Sequence, residues 1–416
     1  MITVGLDFGT HQTKVCIENK EGVELNYTFM KFEDPYLREL YTLPSVIGVD
    51  NDGLLHYGYL NRNFKGRIFK YFKQSAFDAT ASNIMSQEEA WCLSTWYLAY
   101  IIFDLEDKYG QQFAIQMGAP TDSSHVERAK QIATRIVASA YRLVEDVFTN
   151  DKAKFLATPI NELREITEIV PFSQETKLKY DLLVFPEAYA CLMPLISQGK
   201  LETGMNLMID IGGGTTDISF FTIDKNKPQV YAFYSINKGL NFLTHADDDD
   251  QSRIDPNVTD FNTIDMSCVE ILEADIRNIC FRIRQDLVKE LTDKTSFHPK
   301  RIQRALNGRP LIYSGGGSTV NQLRIPYDSY LDVKQISHNQ WKDESVEDIE
   351  YIIQDNMSPI LSTAYGLAIS VENDDIELRS FNDFFENLKG KGDDENYVLG
   401  SAYGGFNYGD DFNAWK

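Results

Sequence analysis

The sequence predicts an α/β protein of two lobes, each a mixed, five-stranded type of sheet flanked by helices, with a phosphate-holding cleft between them. Three stretches predict it. Residues 2–17 read as an apolar strand ending in Asp7, a turn through Gly9, Thr10 and His11, and a second strand starting near Lys14. Residues 207–221 repeat that grammar: an apolar strand carrying Asp210, a turn of Gly212, Gly213 and Gly214, then Thr215, Thr216 and Asp217 leading into another apolar run. Residues 310–318 are a third strand running into Gly315, Gly316 and Gly317. Glycine lets a backbone turn tightly and approach a ligand closely, and successive turn N–H groups converge on anions. A carboxylate beside a phosphate is repulsive unless a cation lies between, so the pattern implies Mg²⁺. One such hairpin reads equally as an ordinary glycine turn. Two of them, some two hundred residues apart and joined by a glycine-rich third strand, predict a clamp.

The other elements follow in chain order. Residues 2–30 are strands. Residues 32–105 change character, with an X-Pro strand start at Pro44-Ser45 and a basic-aromatic stretch over 65–73, and predict a small inserted subdomain beside the cleft. Apolar spacing through Trp91, Leu93, Trp96, Tyr97, Tyr100 and Ile101 predicts a helix over 88–105. A buried strand over 113–118 stops at Gly118 and Pro120, and Asp122, Ser123 and Ser124 supply a cap for a helix over 126–148. After a charged insertion over 145–183, a short strand over 182–185 meets Pro186, which suits the first turn of a helix carrying Glu187. The four aspartates 247–250 lack the ligand spacing of a calcium loop and read as a solvated turn. Helices are predicted over 268–291, 345–356 and 359–371, the last with Gly366 permitting a close crossing near Ala188 and Ala190. Residues 383–388 suit one helical turn. Residues 390–416, rich in Gly, Asp, Asn and aromatics without periodicity, read as disordered.

The expected organisation is a first lobe over 1–206, with the inserted subdomain at about 32–105, completed by 358–388. A second lobe over 207–357 has a reduced upper subdomain at about 240–307, and an acidic, aromatic tail occupies 389–416. The chain of 416 residues carries 40 Lys and Arg against 62 Asp and Glu, a net charge of −22, which argues against nonspecific binding to nucleic acid or anionic membranes. No apolar run reaches the ~20 residues a membrane span needs, and the N-terminus reads as a core strand rather than a leader. Five scattered cysteines without metal spacing predict reduced, buried thiols and a cytoplasmic location.

On these motifs the chain resembles the superfamily of actin, DnaK-type heat-shock chaperones and sugar kinases, whose fold is ribonuclease H-like. The sequence 7–10 resembles the first phosphate motif, 210–217 the second and 314–318 the adenosine motif, while 185–190 and 364–368 are similar to the two linking helices. The wording is nearest the DnaK-type nucleotide-binding domain, and no peptide-binding domain is matched. The resemblance implies ATP or ADP held between the lobes by Gly9, Thr10, His11, Lys14, Gly212, Gly213, Gly214, Thr215, Thr216, Gly315, Gly316 and Gly317. Mg²⁺ would be held through water by Asp7 and Asp210. It implies catalytic roles for Glu187 and Asp210 in orienting a water, for Thr215 by the γ-phosphate, and for a lysine, Lys73 in preference to Lys70. On the helix resembling the adenosine-contacting one, Arg284 stands in place of a lysine, Gln285 of a base-stacking arginine and Phe281 of a ribose-binding glutamate, so two of the three positions depart from the family's pattern.

The implied function is that of an ATP-binding, ATP-hydrolysing conformational switch acting on a protein partner. The alternatives are a polymerising bacterial actin-like protein of plasmid-segregation or cell-division type, to which Lys14 points, a small-molecule kinase of the same fold, and a nucleotide-binding scaffold with little turnover.

Overall fold

The computed structural model describes residues 2–369 apart from 22–23, 62, 78–84, 111–112, 121–125, 202–203, 225–226, 245–263, 295–296, 309–310, 321–335 and 339–340. The predicted cap at 122–124, the aspartate run 247–250, the turn at 383–388 and the tail lie outside the described residues.

The chain opens with a three-stranded antiparallel meander, β1 (Ile2–Phe8), β2 (Gln12–Glu21) and β3 (Glu24–Phe29). A ribbon of β4 (Phe32–Glu33) and β5 (Glu39–Leu40) follows. Next come β6 (Leu43–Pro44) on the edge of β2, and a small sheet of β7 (Ile47–Val49), β8 (Leu55–Tyr57) and β9 (Arg67–Phe69). Helices α1 (Phe72–Phe77) and α2 (Gln87–Tyr109) lead to β10 (Phe113–Ala119), which pairs in parallel with β1. Then come α3 (Val126–Arg142), α4 (Lys152–Leu156), α5 (Ile160–Ile166) and α6 (Gln174–Lys179). β11 (Leu182–Pro186) pairs in parallel with β10 and runs straight into α7 (Glu187–Ser197).

The second half repeats this wiring. β12 (Asn206–Ile211), β13 (Thr216–Asp224) and β14 (Lys227–Ile236) form another antiparallel meander. After α8 (Leu240–Leu243), α9 (Met266–Lys294) and α10 (Pro299–Gly308), β15 (Leu311–Ser314) pairs in parallel with β12, and β16 (Ile336–His338) with β15. The chain then passes through α11 (Ile349–Gln354) into α12 (Ser358–Ala368). The two sheets run β11-β10-β1-β2-β3 and β14-β13-β12-β15-β16, each a meander extended by two parallel strands. Two mixed sheets, each flanked by helices, are thus what the hairpin grammar predicts.

α7 and α12 lie between the sheets. Both sequences are apolar nearly all round, and such a helix has no face to offer water. Ala188, Cys191 and Leu192 of α7 and Leu361, Ala364 and Tyr365 of α12 share one buried cluster with Cys16 and Phe29 of the first sheet and Met208 and Ile312 of the second. α2 and α3 cover the far face of the first sheet, and α9 and α10 that of the second. The crossing of α7 and α12 is as close as backbones allow: a Cβ on Gly366 would lie 1.8 Å from the Ala190 carbonyl oxygen.

Three helix boundaries differ from expectation for identifiable reasons. Predicted over 126–148, α3 stops at Arg142 and its last turn widens into a π-helical turn, Leu143–Val147. The acidic helix predicted from 345 begins only at Ile349, because the residues before it dock on the edge of β3: Tyr27 N–H donates to the Ser345 carbonyl and Glu347 N–H to that of Tyr27. Pro186 completes β11 and caps α7 instead of sitting in its first turn.

Candidate functional site between the two glycine turns

β1 and β12 occupy equivalent positions in their sheets, so Asp7 and Asp210, near their C-terminal ends, arrive at the same cleft. The turns that follow touch. A Cβ on Gly213 would come within 2.3 Å of the His11 Cβ, and one on Gly214 within 3.3 Å of the Thr10 methyl. The turns are also braced from behind. Ser45 Oγ donates to the Gly9 carbonyl at 2.7 Å and its N–H to that of His11. Behind the second turn, Leu240 and Asn241 N–H groups donate to the carbonyls of Gly212 and Gly213. Thr10, Gly213 and Gly214 line the cleft, and their N–H groups find no acceptor among the described residues. Gly9 and Gly212 differ, their N–H groups being bonded within the turns to the carbonyls of Asp7 and Thr215.

Gly315 is where the third strand meets this floor. Its φ of +76° belongs to the left-handed side that glycine tolerates, and a Cβ there would sit 2.4 Å from Asp210 Oδ1. Glu187 reaches the cleft from the first turn of α7, over Gly118, whose missing side chain leaves room for it.

The charges are unevenly matched. In the first hairpin, Asp7 lies opposite Lys14 in register and the two pair at 2.8 Å. In the second, the partner opposite Asp210 is another carboxylate, Asp217. Lys73 of α1, 5% exposed, pairs with Glu187 at 2.6 Å. Two lysines therefore face four carboxylates. Burial pushes the Asp210 carboxyl up to about 7, with Asp7 and then Glu187 adding to the rise and Lys14 and Lys73 opposing it. Asp217 is likewise raised to about 7 by burial, helped by Asp210 and Glu187, against a hydrogen bond from Ser235 and the charge of Lys73. Such a floor fits a divalent cation on the chemistry of its donors: two positive charges would balance it, and hard carboxylate oxygens suit Mg²⁺. Among the described residues no three His, Cys, Asp or Glu side chains form a ready-made ligand set; Asp7 and Asp210 would hold the ion through its waters.

The cavity has a volume of about 470 Å³, within the range of small-molecule sites. It brings together Asp7, Gly9, Thr10, His11, Lys14, Lys73, Glu187, Asp210, Gly212, Gly213, Gly214, Thr215, Gly315 and Gly316. Three expected contacts are placed elsewhere. Thr216 is buried with its hydroxyl on the Lys238 carbonyl, Gly317 packs on the Ile211 side chain, and Arg284 is buried along α9. Lys70, the other candidate lysine, is half-buried; its Nζ is buried with no hydrogen-bond partner among the described residues, and its pKa falls to about 8 through desolvation. Sequence reasoning missed Ser45 as a brace, Gly118 as the space for Glu187 and Gly239, whose Cβ would strike the Gly212 carbonyl at 2.5 Å. Only an isolated glycine marks the latter two in the sequence.

No family model matches the chain, and no curated protein matches it. Among solved structures, it is similar in fold to the ethanolamine utilization protein EutJ from Carboxydothermus hydrogenoformans, at 14% identity and a TM-score of 0.38, covering 89% of each chain. It is also similar to a pCBH ParM non-polymerisable quadruple mutant, at 14% identity and a TM-score of 0.45, covering 88% of this chain and 98% of that one. At these scores neither likeness carries a residue role. Among the described residues, no helix is long and apolar enough to cross a membrane, and all five cysteines are free.

Proposed function

We propose that the chain binds MgATP between its two sheets, hydrolyses it, and uses the accompanying change of the cleft as a switch on a protein partner. The observation that carries this reading is the meeting of two aspartate-and-glycine turns over a floor with four carboxylates and two lysines. Unbonded N–H groups of Thr10, Gly213 and Gly214 suit the β- and γ-phosphate oxygens. Bound Mg²⁺, held by Asp7 and Asp210, would neutralise phosphate charge. Glu187 and Asp210 hold the attacking water; its oxygen bonds to the γ-phosphorus as the bond to the β-bridging oxygen breaks, and its proton passes to a carboxylate. Lys73, paired with Glu187, would turn to the transferred phosphoryl group, and Thr215, which lines the same cavity, would sit by the γ-phosphate.

Phosphate release from ATP, measured with Mg²⁺ and with chelator, tests the reading. Glu187→Gln should retain ATP binding and lose about 10²-fold or more in turnover, and Asp210→Asn should lower turnover and raise the Mg²⁺ concentration it needs. Turnover unchanged in Asp210→Asn sinks the mechanism. The second reading, a polymerising actin-like protein, draws on Lys14, which sits on the phosphate hairpin paired with Asp7 where actin-type sequences carry a phosphate-contacting lysine. Sedimentation with ATP against ADP separates the two, since a filament pellets in one state only.

A further inference from the structure

The cleft does not end at the glycine turns. The same cavity is also walled by Tyr41, just after β5, by Tyr351 of α11, and by Met357 and Ile360 around the start of α12. The Tyr41 and Tyr351 rings stand 6.2 Å apart, tilted by 55°. Tyr41 is fixed by its hydroxyl donating to Asp348 at 3.0 Å. Tyr351 lines the same cavity and keeps 53% of its surface exposed. Arg38 and Asp355 add charged groups to the same walls. α9 contributes nothing to the lining: Phe281, Arg284 and Gln285 are all outside it.

We propose that the nucleoside end of the bound nucleotide lies in this chamber, its base against Tyr351 and Met357, rather than on α9. This rests on the MgATP reading above. A nucleoside is tethered to its phosphates by a short ester link, so it must occupy the continuation of the cavity that holds them. Every base presents a π-face, and an exposed tyrosine ring supplies the matching surface. The Asp355 carboxylate accepts hydrogen bonds from ribose hydroxyls or an exocyclic amine. The β4–β5 ribbon and α11 thus become the specificity-determining walls, which accounts for a helix α9 carrying Phe281 and Gln285 where the resemblance led one to expect sugar- and base-binding side chains.

Calorimetric titration with Mg²⁺ present, using ATP and inorganic tripolyphosphate as separate probes, tests the assignment. The wild-type chain should bind ATP more tightly than tripolyphosphate. Tyr351→Ala should weaken ATP about tenfold and leave tripolyphosphate unchanged, Tyr351→Phe should restore ATP binding, and Gln285→Ala should change neither. Tyr351→Ala leaving ATP affinity intact, or ATP binding no better than tripolyphosphate, overturns the proposal while leaving the phosphate site standing. Failure of wild type to bind either probe removes the MgATP reading and the chamber's role with it.

Discussion

At the scale of single residues, the second hairpin's paired carboxylates set a pH dependence that can be signed. Asp210 and Asp217 both titrate near 7 in the folded chain, against an ordinary value of 3.8. The native state therefore binds protons that the unfolded state has already released, and stability falls as pH rises from about 4 to about 7, levelling off above. Ligand-free protein should melt at a lower temperature at pH 8 than at pH 5, and Mg²⁺ with ATP should recover the loss at pH 8. Asp217→Asn should raise the ligand-free melting temperature at pH 8. A melting temperature that climbs steadily from pH 5 to 8 would refute the assignment. Glu106 of α2 is a second, remote case. Both its carboxyl oxygens are buried without a partner, and burial, then the charge of Glu145, lifts it to about 7. Glu106→Gln should stabilise the chain by roughly 1–2 kcal/mol at pH 8, discounted for partial solvent access, and change little at pH 5. Urea unfolding at the two pH values reads the difference.

At the scale of elements, what was legible in the sequence is what short-range pattern encodes. Strand, aspartate and glycine follow one another along the chain, so both hairpins, and the third strand ending at Gly315, were visible before any contact was known. The crossing of α7 and α12 was visible too, because Gly366 stands in a helix otherwise packed with apolar residues. Gly366→Val should cost about 3 kcal/mol or more, since a side chain aimed at the Ala190 carbonyl must push two buried helices apart. Equilibrium urea denaturation gives the value, and a loss under 1 kcal/mol would mean that the helices part freely there. The features that escaped depend on residues far apart in the chain. Ser345 and Glu347 leave helical geometry because their backbone groups find the edge of β3. Gly118 makes sense only beside Glu187, and Tyr351 only beside Tyr41. Arg284 was expected at the nucleoside by analogy of position on a helix, and its burial along α9 is set by how that helix packs on the second sheet.

At the scale of the whole molecule, two sheets of the same wiring meet through α7 and α12, and the two halves also meet through a smaller contact. Asn241 Nδ2 donates to the Tyr71 hydroxyl at 3.1 Å. Tyr71 immediately precedes α1, which carries Lys73, and holds a left-handed φ of 58° that a non-glycine residue rarely adopts. Asn241 is buried, and its own N–H donates to the Gly213 carbonyl. This hydrogen bond thus ties the lysine-bearing element of the first half to the second glycine turn. Tyr71→Phe keeps the ring and deletes the bond; on the proposed switch reading that is a loss of about 1 kcal/mol from the closed arrangement alone. That is about a fivefold shift of the closed-to-open ratio. If the proposed hydrolysis needs the closed arrangement, turnover should fall by up to that factor in Tyr71→Phe and in Asn241→Ala. The double variant should fall no further than the worse single one, because the two changes remove the same interaction. Hydrogen exchange over residues 71–77 with ATP bound should quicken in parallel. If the two losses multiply, the residues act separately and the contact is incidental to closure.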